Sequence, residues 1–544
     1  MVAPNRQQDI KPIPLQIVGG NNFGRYGKIS REESFNMLVS DSFLVPYAGY
    51  KNVLALAPGA EGRGIYSSTV EEFILAVIGS NVYRVEQSSA GVMSSRFIGS
   101  IFTNSGDVFI AENNNKQVCI TDKSYIYVYD YNSSAALEFD SNNTTAGGTI
   151  SFAYDNPGYI SFQNGRLITA LLNSQRWILS KENDATVWAP NSPQTTANSI
   201  QALQSKPGYI QAAVPVPGGG NNILIFGTNV AESWQDLGLA KFPYQRNSTF
   251  NLDYGCLNAS SIAELDNFIV WLSVNEQSGP AISLCSGGNM QKISTDGIDF
   301  KLSKLTNPTN CTGFLFRQDG HLIYQFTFVD DNLTYAYDFT SKLFFTITDE
   351  NLNYHPARQV VFFKHEYYFV SFNDGNLYRF GTQYTNADYS DDLLHDIPRI
   401  RVTPPFRLPS QRWFIGKSVG FTIENGQPNP YTTVSYIVGA EGATLATESG
   451  TLIATEGGTL IDADDDTTTA YSYSIAQNNV ALSISRDGGE TFGSSSAIEM
   501  NPTGKRKSRL IWQRLGIVND MTCQFRFNGL QRFVCTEGEL EVFQ

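Results

Sequence analysis

The segment GYISFQNGRLITALL (158–172) decides the fold class, because it places a tight turn between two apolar strands. Its turn is Asn164-Gly165, a pair that suits a type I′ turn, since both central residues need positive φ. Two more segments share this design, GFLFRQDGHLIYQFTF (313–328) with Asp319-Gly320 and YYFVSFNDGNLYRFG (367–381) with Asp374-Gly375. The pattern predicts β-hairpins.

Weaker copies of the hairpin occur in FILAVIGSNVYRVE (73–86), ILIFGTNVAESW (223–234), SIAELDNFIVWLS (261–273) and VVFFKHEYYFVSF (360–372). The repeated units begin near residues 65, 106, 158, 208, 254, 310 and 357. A spacing of about 40–50 residues is typical of four-stranded propeller blades. We predict an all-β fold with a β-propeller of six or seven blades. A series of β-sandwiches is the competing architecture, since their turns also recur at short intervals.

The amino-acid composition also favours β-strands. The chain has 27 Tyr and 35 Phe, only 17% charged residues, and almost no helical periodicity. Aromatic residues favour strands, and glycine and asparagine favour tight turns. A length of 544 residues exceeds one ordinary compact core, so we expect more than one domain.

A polar and acidic stretch at 382–398 ends in Pro398 and is followed by Pro404 and Pro405, which predicts a domain boundary. We expect an N-terminal arm with its first strands (1–60), a propeller-like repeat domain (61–395) and a C-terminal β-domain (396–544). Within the last domain, AEGATLA (440–446), TESGTLIA (447–454) and TEGGTLID (455–462) form a small inserted β-repeat, which we place at 425–475. It is either an exposed contact module or an acidic-edged insertion without a contact role.

The net charge is −14 at pH 7. Such a chain lacks the basic surface with which nucleic-acid-binding proteins meet phosphates. Residues 1–11 are polar, which indicates no secretory signal. The longest apolar run, 73–78, is far shorter than the ~20 residues of a membrane span, so we expect no membrane insertion.

No catalytic or metal-binding motif is recognisable. The six cysteines form no CxxC pair, which makes buried free thiols the expectation. The acidic cluster Asp462, Asp464, Asp465 and Asp466 lacks the pattern of a calcium loop. No HExxH, GxSxG, phosphate-binding loop or spaced Ser/His/Asp set is present. The sequence therefore predicts no cofactor, no metal and no enzymatic activity.

SRDGGETF (485–492) matches the Asp-box pattern, with Phe in place of the usual Trp. Asp487 can accept backbone N–H groups, Gly489 permits the turn, and Phe492 is expected to bury beneath it. We interpret Ser485, Asp487, Gly489, Thr491 and Phe492 as a structural turn. A sialidase would need several copies and further catalytic residues.

GKRKSRLIWQRLG (504–516) is the most basic stretch of the chain. Its cations alternate with apolar residues, as on one face of a strand. In an acidic protein such cations pair most simply with carboxylates of a neighbouring chain or domain, although basic residues around an aromatic can also bind nucleic acid. The predicted subunit-contact residues are Lys505, Arg506, Lys507, Arg509, Trp512 and Arg514.

Three stretches together resemble a known family: ILIFGTNVAESWQDLG (223–238) leading into 254–273 and MQKIST (290–295), the Asp-box hairpin at 483–493, and KSRLIWQRLG (507–516). In order and spacing they are similar to the packaged-DNA-stabilising tail-hub, or nozzle, proteins of short-tailed bacteriophages of the Salmonella-phage type. The Thr-Glu-Gly repeat at 425–475 departs from that pattern and looks like an insertion.

The resemblance implies a virion structural protein, assembled in the host cytoplasm, of which six copies form a ring below the portal and its adaptor. That ring would extend the channel for double-stranded DNA, retain the packaged DNA without sequence-specific binding, and carry a tail needle or plug and tailspikes or fibres. The alternative is a receptor-binding or sialidase-like, carbohydrate-active propeller, which the Asp box and the aromatic content would suit.

Overall fold

The computed structural model describes residues 12–23, 31–132, 156–188, 200–239, 242–286, 289–389, 394–409, 412–425, 478–500, 507–529 and 532–543. Within these ranges nearly all regular structure is β-strand, and the one α-helix is Asp296–Leu302. The predicted inserted repeat lies outside the described residues. The predicted all-β fold is confirmed.

The chain begins with six strands: β1 (Ile13–Leu15), β2 (Asn22–Phe23), β3 (Arg31–Phe35), β4 (Met37–Ser40), β5 (Phe43–Pro46) and β6 (Gly49–Ala55). These strands do not form a sheet of their own. Each one joins a sheet built from residues much later in the chain.

Seven antiparallel sheets follow one another within the described residues. Blade 1 contains β7 (Gly62–Ser67), β8 (Ile74–Ile78), β9 (Asn81–Gln87) and β10 (Met93–Ser100); blade 2 contains β11 (Phe109–Glu112), β12 (Gln117–Thr121) and β13 (Ile126–Asp130). Blade 3 contains β14 (Pro157–Gln163), β15 (Arg166–Leu171), β16 (Arg176–Lys181), β17 (Asp184–Trp188) and β18 (Ile200–Ala202). Blade 4 contains β19 (Ile210–Pro215), β20 (Asn222–Gly227), β21 (Ala231–Asp236) and β22 (Tyr244–Leu252).

Blade 5 contains β23 (Gly255–Cys256), β24 (Ala263–Leu265), β25 (Phe268–Val274), β26 (Ala281–Ser286) and β27 (Asn289–Lys292). Blade 6 contains β28 (Cys311–Gln318), β29 (His321–Phe328), β30 (Leu333–Asp338) and β31 (Leu343–Thr346), and blade 7 contains β32 (Ala357–Phe363), β33 (Glu366–Ser371) and β34 (Asn376–Gly381). The blades begin within three residues of the positions that the repeat spacing predicts.

The blades close into a ring. Successive blades contact one another through their inner strands, with blade 5 meeting its neighbours through β23 and β24, and β32 of blade 7 returns to β7 of blade 1. The fourth strand of blade 7 is β6, which runs antiparallel to β34 with Gly49 opposite Gly381. Because the N-terminal strand completes the C-terminal blade, the ring is held shut by backbone hydrogen bonds between distant parts of the chain.

Two of the three predicted type I′ turns are present. Asn164 and Gly165 have φ of 49° and 79°, and Asp319 and Gly320 have φ of 49° and 87°. At the third, only Gly375 has positive φ, and a four-residue loop replaces the two-residue turn. Here the carbonyl of Ala57 packs so close to Gly375 that a Cβ would overlap it, because the chain leaves β6 at this loop.

The remaining strands are β35 (Ala387–Asp388), β36 (Leu394–His395), β37 (Arg399–Val402), β38 (Phe414–Asn425), β39 (Asn479–Ser485), β40 (Ser496–Glu499), β41 (Lys507–Val518), β42 (Thr522–Asn528) and β43 (Phe533–Phe543). β35 runs parallel to β6, so β35 and β36 extend the sheet of blade 7. The strands after β36 form a C-terminal β-sandwich. One of its sheets has the order β4-β5-β43-β38-β41, with β1 also on β43.

The other sandwich sheet, β37-β42-β39-β40, continues through β3 into blade 6. β3 pairs antiparallel with β37 and parallel with β31, so one sheet runs from the sandwich into the propeller. Between the two sandwich sheets lies an aromatic core that includes Phe421, Trp512, Phe525, Phe527 and Phe533.

Candidate functional site

The Asp-box residues form a tight turn after β39. Asp487 Oδ1 accepts the backbone N–H groups of Glu490 and Thr491, both at 3.0 Å. Ser485 donates its hydroxyl to Asp487 at 2.6 Å and accepts the N–H of Gly489 at 2.8 Å. The hydrogen bonds from Ser485 and Thr491 lower the pKa of Asp487. The carboxylate is therefore engaged in holding the turn.

Phe492 differs from its predicted position. Its side chain is half-buried and not fully buried as expected. Instead it lines a cleft at the edge of the sandwich together with Ile484 and Trp512.

The predicted subunit-contact residues divide into two groups. Lys507, Arg509 and Arg514 are exposed on β41, whereas Lys505 and Arg506 lie outside the described residues. Trp512 points the other way, is 3% exposed, and packs against Phe421 and Phe525. The period of two along a strand sends Trp512 inward, so it belongs to the sandwich core and not to a contact surface.

The exposed cations of β41 have different surroundings. Arg509 forms an ion pair with Glu539 on β43 by reaching across Gly420, which carries no side chain to block it. Lys507 and Arg514 have no ion pair within the described ranges. Arg514 lies in a β-bulge, with a φ of 61°.

The sequence analysis found no spaced Ser/His/Asp set, but the structure brings a serine, a histidine and an aspartate together in one series of hydrogen bonds. His321 Nδ1 lies 2.9 Å from Asp338 Oδ2, and His321 Nε2 lies 3.0 Å from Ser40 Oγ. Asp338 also accepts the N–H and hydroxyl of Ser341. The spacing of 281 residues between Ser40 and His321 hid this arrangement.

The burial of this hydrogen-bonded series indicates that it has a structural role. Asp338 is fully buried and His321 is 7% exposed. Ser40 ends a strand of the sandwich, whereas His321 and Asp338 lie on blade 6. The three side chains therefore connect the sandwich to the propeller within the contact between the two domains.

The innermost strands of four blades are shielded from solvent. The innermost strands β7, β11, β14 and β19 contain no exposed residue. Glu264 on β24 is exposed to solvent, yet the protein atoms around it raise the pKa of its carboxyl to about 7. Burial raises the pKa of Tyr159 on β14, and the charge of Glu264 raises it further. Glu264 of blade 5 therefore lies near Tyr159 of blade 3.

All six cysteines are buried and unpaired, as the sequence predicts. Among the described residues, no group of His, Cys, Asp and Glu side chains could hold a metal ion. No helix in those same ranges is long and apolar enough to cross a membrane.

Two solved structures are similar to this chain at a low level. The N-terminal domain of Nup159 is 12% identical over 67% of this chain and 99% of its own, with a TM-score of 0.39. PorZ, a surface component of the type-IX secretion system of Porphyromonas gingivalis, is 10% identical over 60% of this chain and 37% of its own, with a TM-score of 0.35. Neither score supports an argument about function. No curated protein sequence matches the chain.

Two family models match it. One, described as the β-propeller of bacteriophage P22 Gp10, covers residues 32–385, and the other, described as the β-sandwich of the same protein, covers residues 435–542. The first match contains all seven blades, and the second contains sandwich strands β39 to β42 and all but the last residue of β43. The chain therefore belongs to the bacteriophage P22 Gp10 family and is a structural protein of the phage tail.

Proposed function

We propose that this protein is the tail hub, or nozzle, of a short-tailed phage. Six copies form a closed ring below the portal and its adaptor. The ring extends the DNA channel, retains the packaged genome, and anchors a tail needle or plug and tailspikes or fibres. The family match to both folded regions carries this proposal.

The packing of the propeller favours a DNA channel that lies between copies and not along the axis of each propeller. An opening wide enough for duplex DNA along the propeller axis would leave one side of each innermost strand exposed. Four innermost strands have no exposed residue, and β24, β28 and β32 each have one, whereas such an opening would expose a whole side of every strand; the genome therefore passes outside each propeller. Several copies are then needed to surround it, and a closed ring satisfies that need.

The net charge suits a channel along which DNA slides. A chain with a net charge of −14 repels phosphates instead of binding them. The ring therefore encloses the duplex without binding a particular DNA sequence. The exposed cations Lys507, Arg509 and Arg514, with their sequence neighbours Lys505 and Arg506, serve contact between subunits. Trp512 is buried in the sandwich core, and its side chain reaches this surface only where it lines the cleft.

The role of the hub is assembly and gating, with no catalytic step. The Asp-box carboxylate of Asp487 is engaged by its own turn. The buried Ser40, His321 and Asp338 chain links the two domains. Genome ejection then depends on displacement of a plug below the ring and not on turnover of a substrate.

Negative-stain imaging of the purified protein, alone and mixed with a portal–adaptor particle of the same phage, tests this function. We expect closed rings docked below the adaptor. A monomer in solution that forms rings only on the adaptor also agrees with the proposal. Elongated trimers, or no association at any ratio, would contradict it and favour a receptor-binding module.

A further inference from the structure

The sandwich has an open side. Its two sheets end next to each other at β40 and β41, and within the described residues each of these strands pairs with one neighbour. A cleft of about 840 Å³ lies between them, lined by apolar side chains that include Leu482, Ile484 and Ile498. Trp512 Nε1 donates to the carbonyl oxygen of Ser496 at 2.8 Å across this cleft.

The edge of β41 is long enough to accept another strand. The stretch 507–513 is regular, and the bulge begins after it, with Arg514 and Gly516 at φ of 61° and 91°. Edge strands present unpaired N–H and C=O groups, and a bulge or a charge normally protects them. On β41 the bulge protects only the C-terminal part. An extended peptide can add to the remaining part by backbone hydrogen bonds.

Unpaired cations surround this edge. Arg486, Lys507 and Arg514 are exposed and have no ion pair in the parts of the chain that the structure describes. Elsewhere on the sandwich, Arg407 pairs with Asp520 and Lys417 pairs with Glu541. In a protein of net charge −14, the edge is a local excess of positive charge that suits an acidic segment.

The chain itself contains such a segment. Residues 426–477 include seven carboxylates and neither Lys nor Arg, so this stretch carries half of the net charge of −14. The three copies of the Thr-Glu-Gly repeat at 440–462 alternate carboxylates with apolar residues, such as the pairs Leu452-Ile453 and Leu460-Ile461. Its acidic residues match the cations of the edge, and its apolar pairs match the cleft.

We propose that the open edge, defined as 507–513 with the adjoining cleft, binds the Thr-Glu-Gly repeat of a second copy of the chain as an added strand. This inference rests on the proposed hub function. Each copy offers one basic acceptor and one acidic donor, so the contact joins two different surfaces and can repeat around a closed ring.

Cysteine cross-linking tests the contact. Because the native cysteines are all buried, introduced surface thiols react selectively. A chain carrying both Gln513→Cys and Thr451→Cys, assembled on the portal–adaptor particle and mildly oxidised, should give a ladder of covalent oligomers on a non-reducing denaturing gel. The matched control combines Thr451→Cys with Ser95→Cys on the exposed edge of blade 1, and it should give no ladder.

The outcomes separate this contact from the hub function. Rings whose cross-links all lie within one chain, or rings without cross-links, refute the second copy as occupant and leave the hub intact. Failure to form rings on the adaptor refutes the hub and this inference with it.

Charge reversal provides an independent measurement. Arg486→Glu with Lys507→Glu should weaken ring assembly by about tenfold, because carboxylates then face carboxylates. Adding Glu448→Lys and Glu456→Lys should restore it. Both edge residues are exposed, so the fold is expected to persist. Assembly unchanged by the first pair, or not rescued by the second, would overturn the inference.

Discussion

At the scale of single residues, a buried arginine holds the start of the chain in place. Arg401 is fully buried and donates to the carbonyl oxygens of Ile17 at 2.6 Å and Gly20 at 3.1 Å. It also forms an ion pair with Glu32. Arg401 thus satisfies backbone groups that no strand pairs, where the N-terminal segment passes between the propeller and the sandwich.

Replacement of Arg401 by Met should lower the free energy of unfolding by about 3–5 kcal/mol, because Glu32 and the carbonyl groups lose their partner inside the protein. Urea denaturation followed by tryptophan fluorescence measures this. Arg317→Met removes an exposed ion pair with Asp266 and should cost less than about 1 kcal/mol. Equal losses in the two variants would contradict the role of Arg401.

A buried histidine makes the stability depend on pH. His355 accepts hydrogen bonds from Gln325 at 3.1 Å and from the N–H of Ala357 at 3.2 Å. Its ring is enclosed by Tyr50, Phe369 and other aromatic side chains. Desolvation lowers its pKa from 6.5 to about 3, so the folded protein keeps it neutral.

As the pH falls, His355 is protonated in the unfolded chain before it is protonated in the folded protein. The contribution of neutral His355 to the free energy of unfolding is therefore complete above pH 6.5 and is lost as the pH falls towards 3. The loss is at most about 1.4 kcal/mol per pH unit. His355→Gln should flatten the fall in urea midpoint between pH 7 and pH 4. The exposed His365→Gln should leave it unchanged, and the same slope in all three proteins would contradict the assignment.

At the scale of elements, β6 decides whether the propeller is closed. This strand of seven residues pairs with β34 on one side and with β35 on the other. Its Tyr50 is fully buried and contacts Phe369 and Tyr378 of blade 7. One strand therefore supplies both the last ladder of the ring and part of its core.

Tyr50→Ala should lower the free energy of unfolding by about 3–5 kcal/mol, as expected for removal of a buried aromatic side chain. Blade 7 should loosen first, so limited proteolysis should cut within 357–381 before it cuts within 210–252. Tyr209→Ala, at an exposed position, serves as the control. Uniform cleavage along the chain would show that β6 does not close the ring.

At the scale of the whole molecule, the propeller and the sandwich share a sheet. β3 lies between β31 of blade 6 and β37 of the sandwich, and the Ser40, His321 and Asp338 chain joins the same two bodies. We therefore expect the two domains to unfold together.

Calorimetry of the wild-type protein should show one transition. Glu33→Pro removes a backbone donor from β3 and should split that transition into two, because the sheet between the domains is interrupted. Glu33→Gln keeps the backbone and should retain the single transition. Two transitions in the wild type would contradict the coupling.

The sequence by itself determined the local structure. Apolar runs with turns at Asn164-Gly165 and Asp319-Gly320 located the blades, since alternation and positive φ depend on neighbouring residues alone. The Asp-box turn at Ser485 to Thr491 could be predicted for the same reason. Its neighbour Phe492 could not, because the cleft that receives it is built from other strands.

Only the tertiary structure decided which strands complete which sheets. β6 pairs with a strand more than 300 residues away, and the burial of Trp512 on β41 depends on the opposite sheet. No local pattern records such pairings, because they depend on which edge remains open once the ring and the sandwich have formed. Closing a long loop costs conformational entropy, and this cost is offset only when both ends of the loop pair within a sheet.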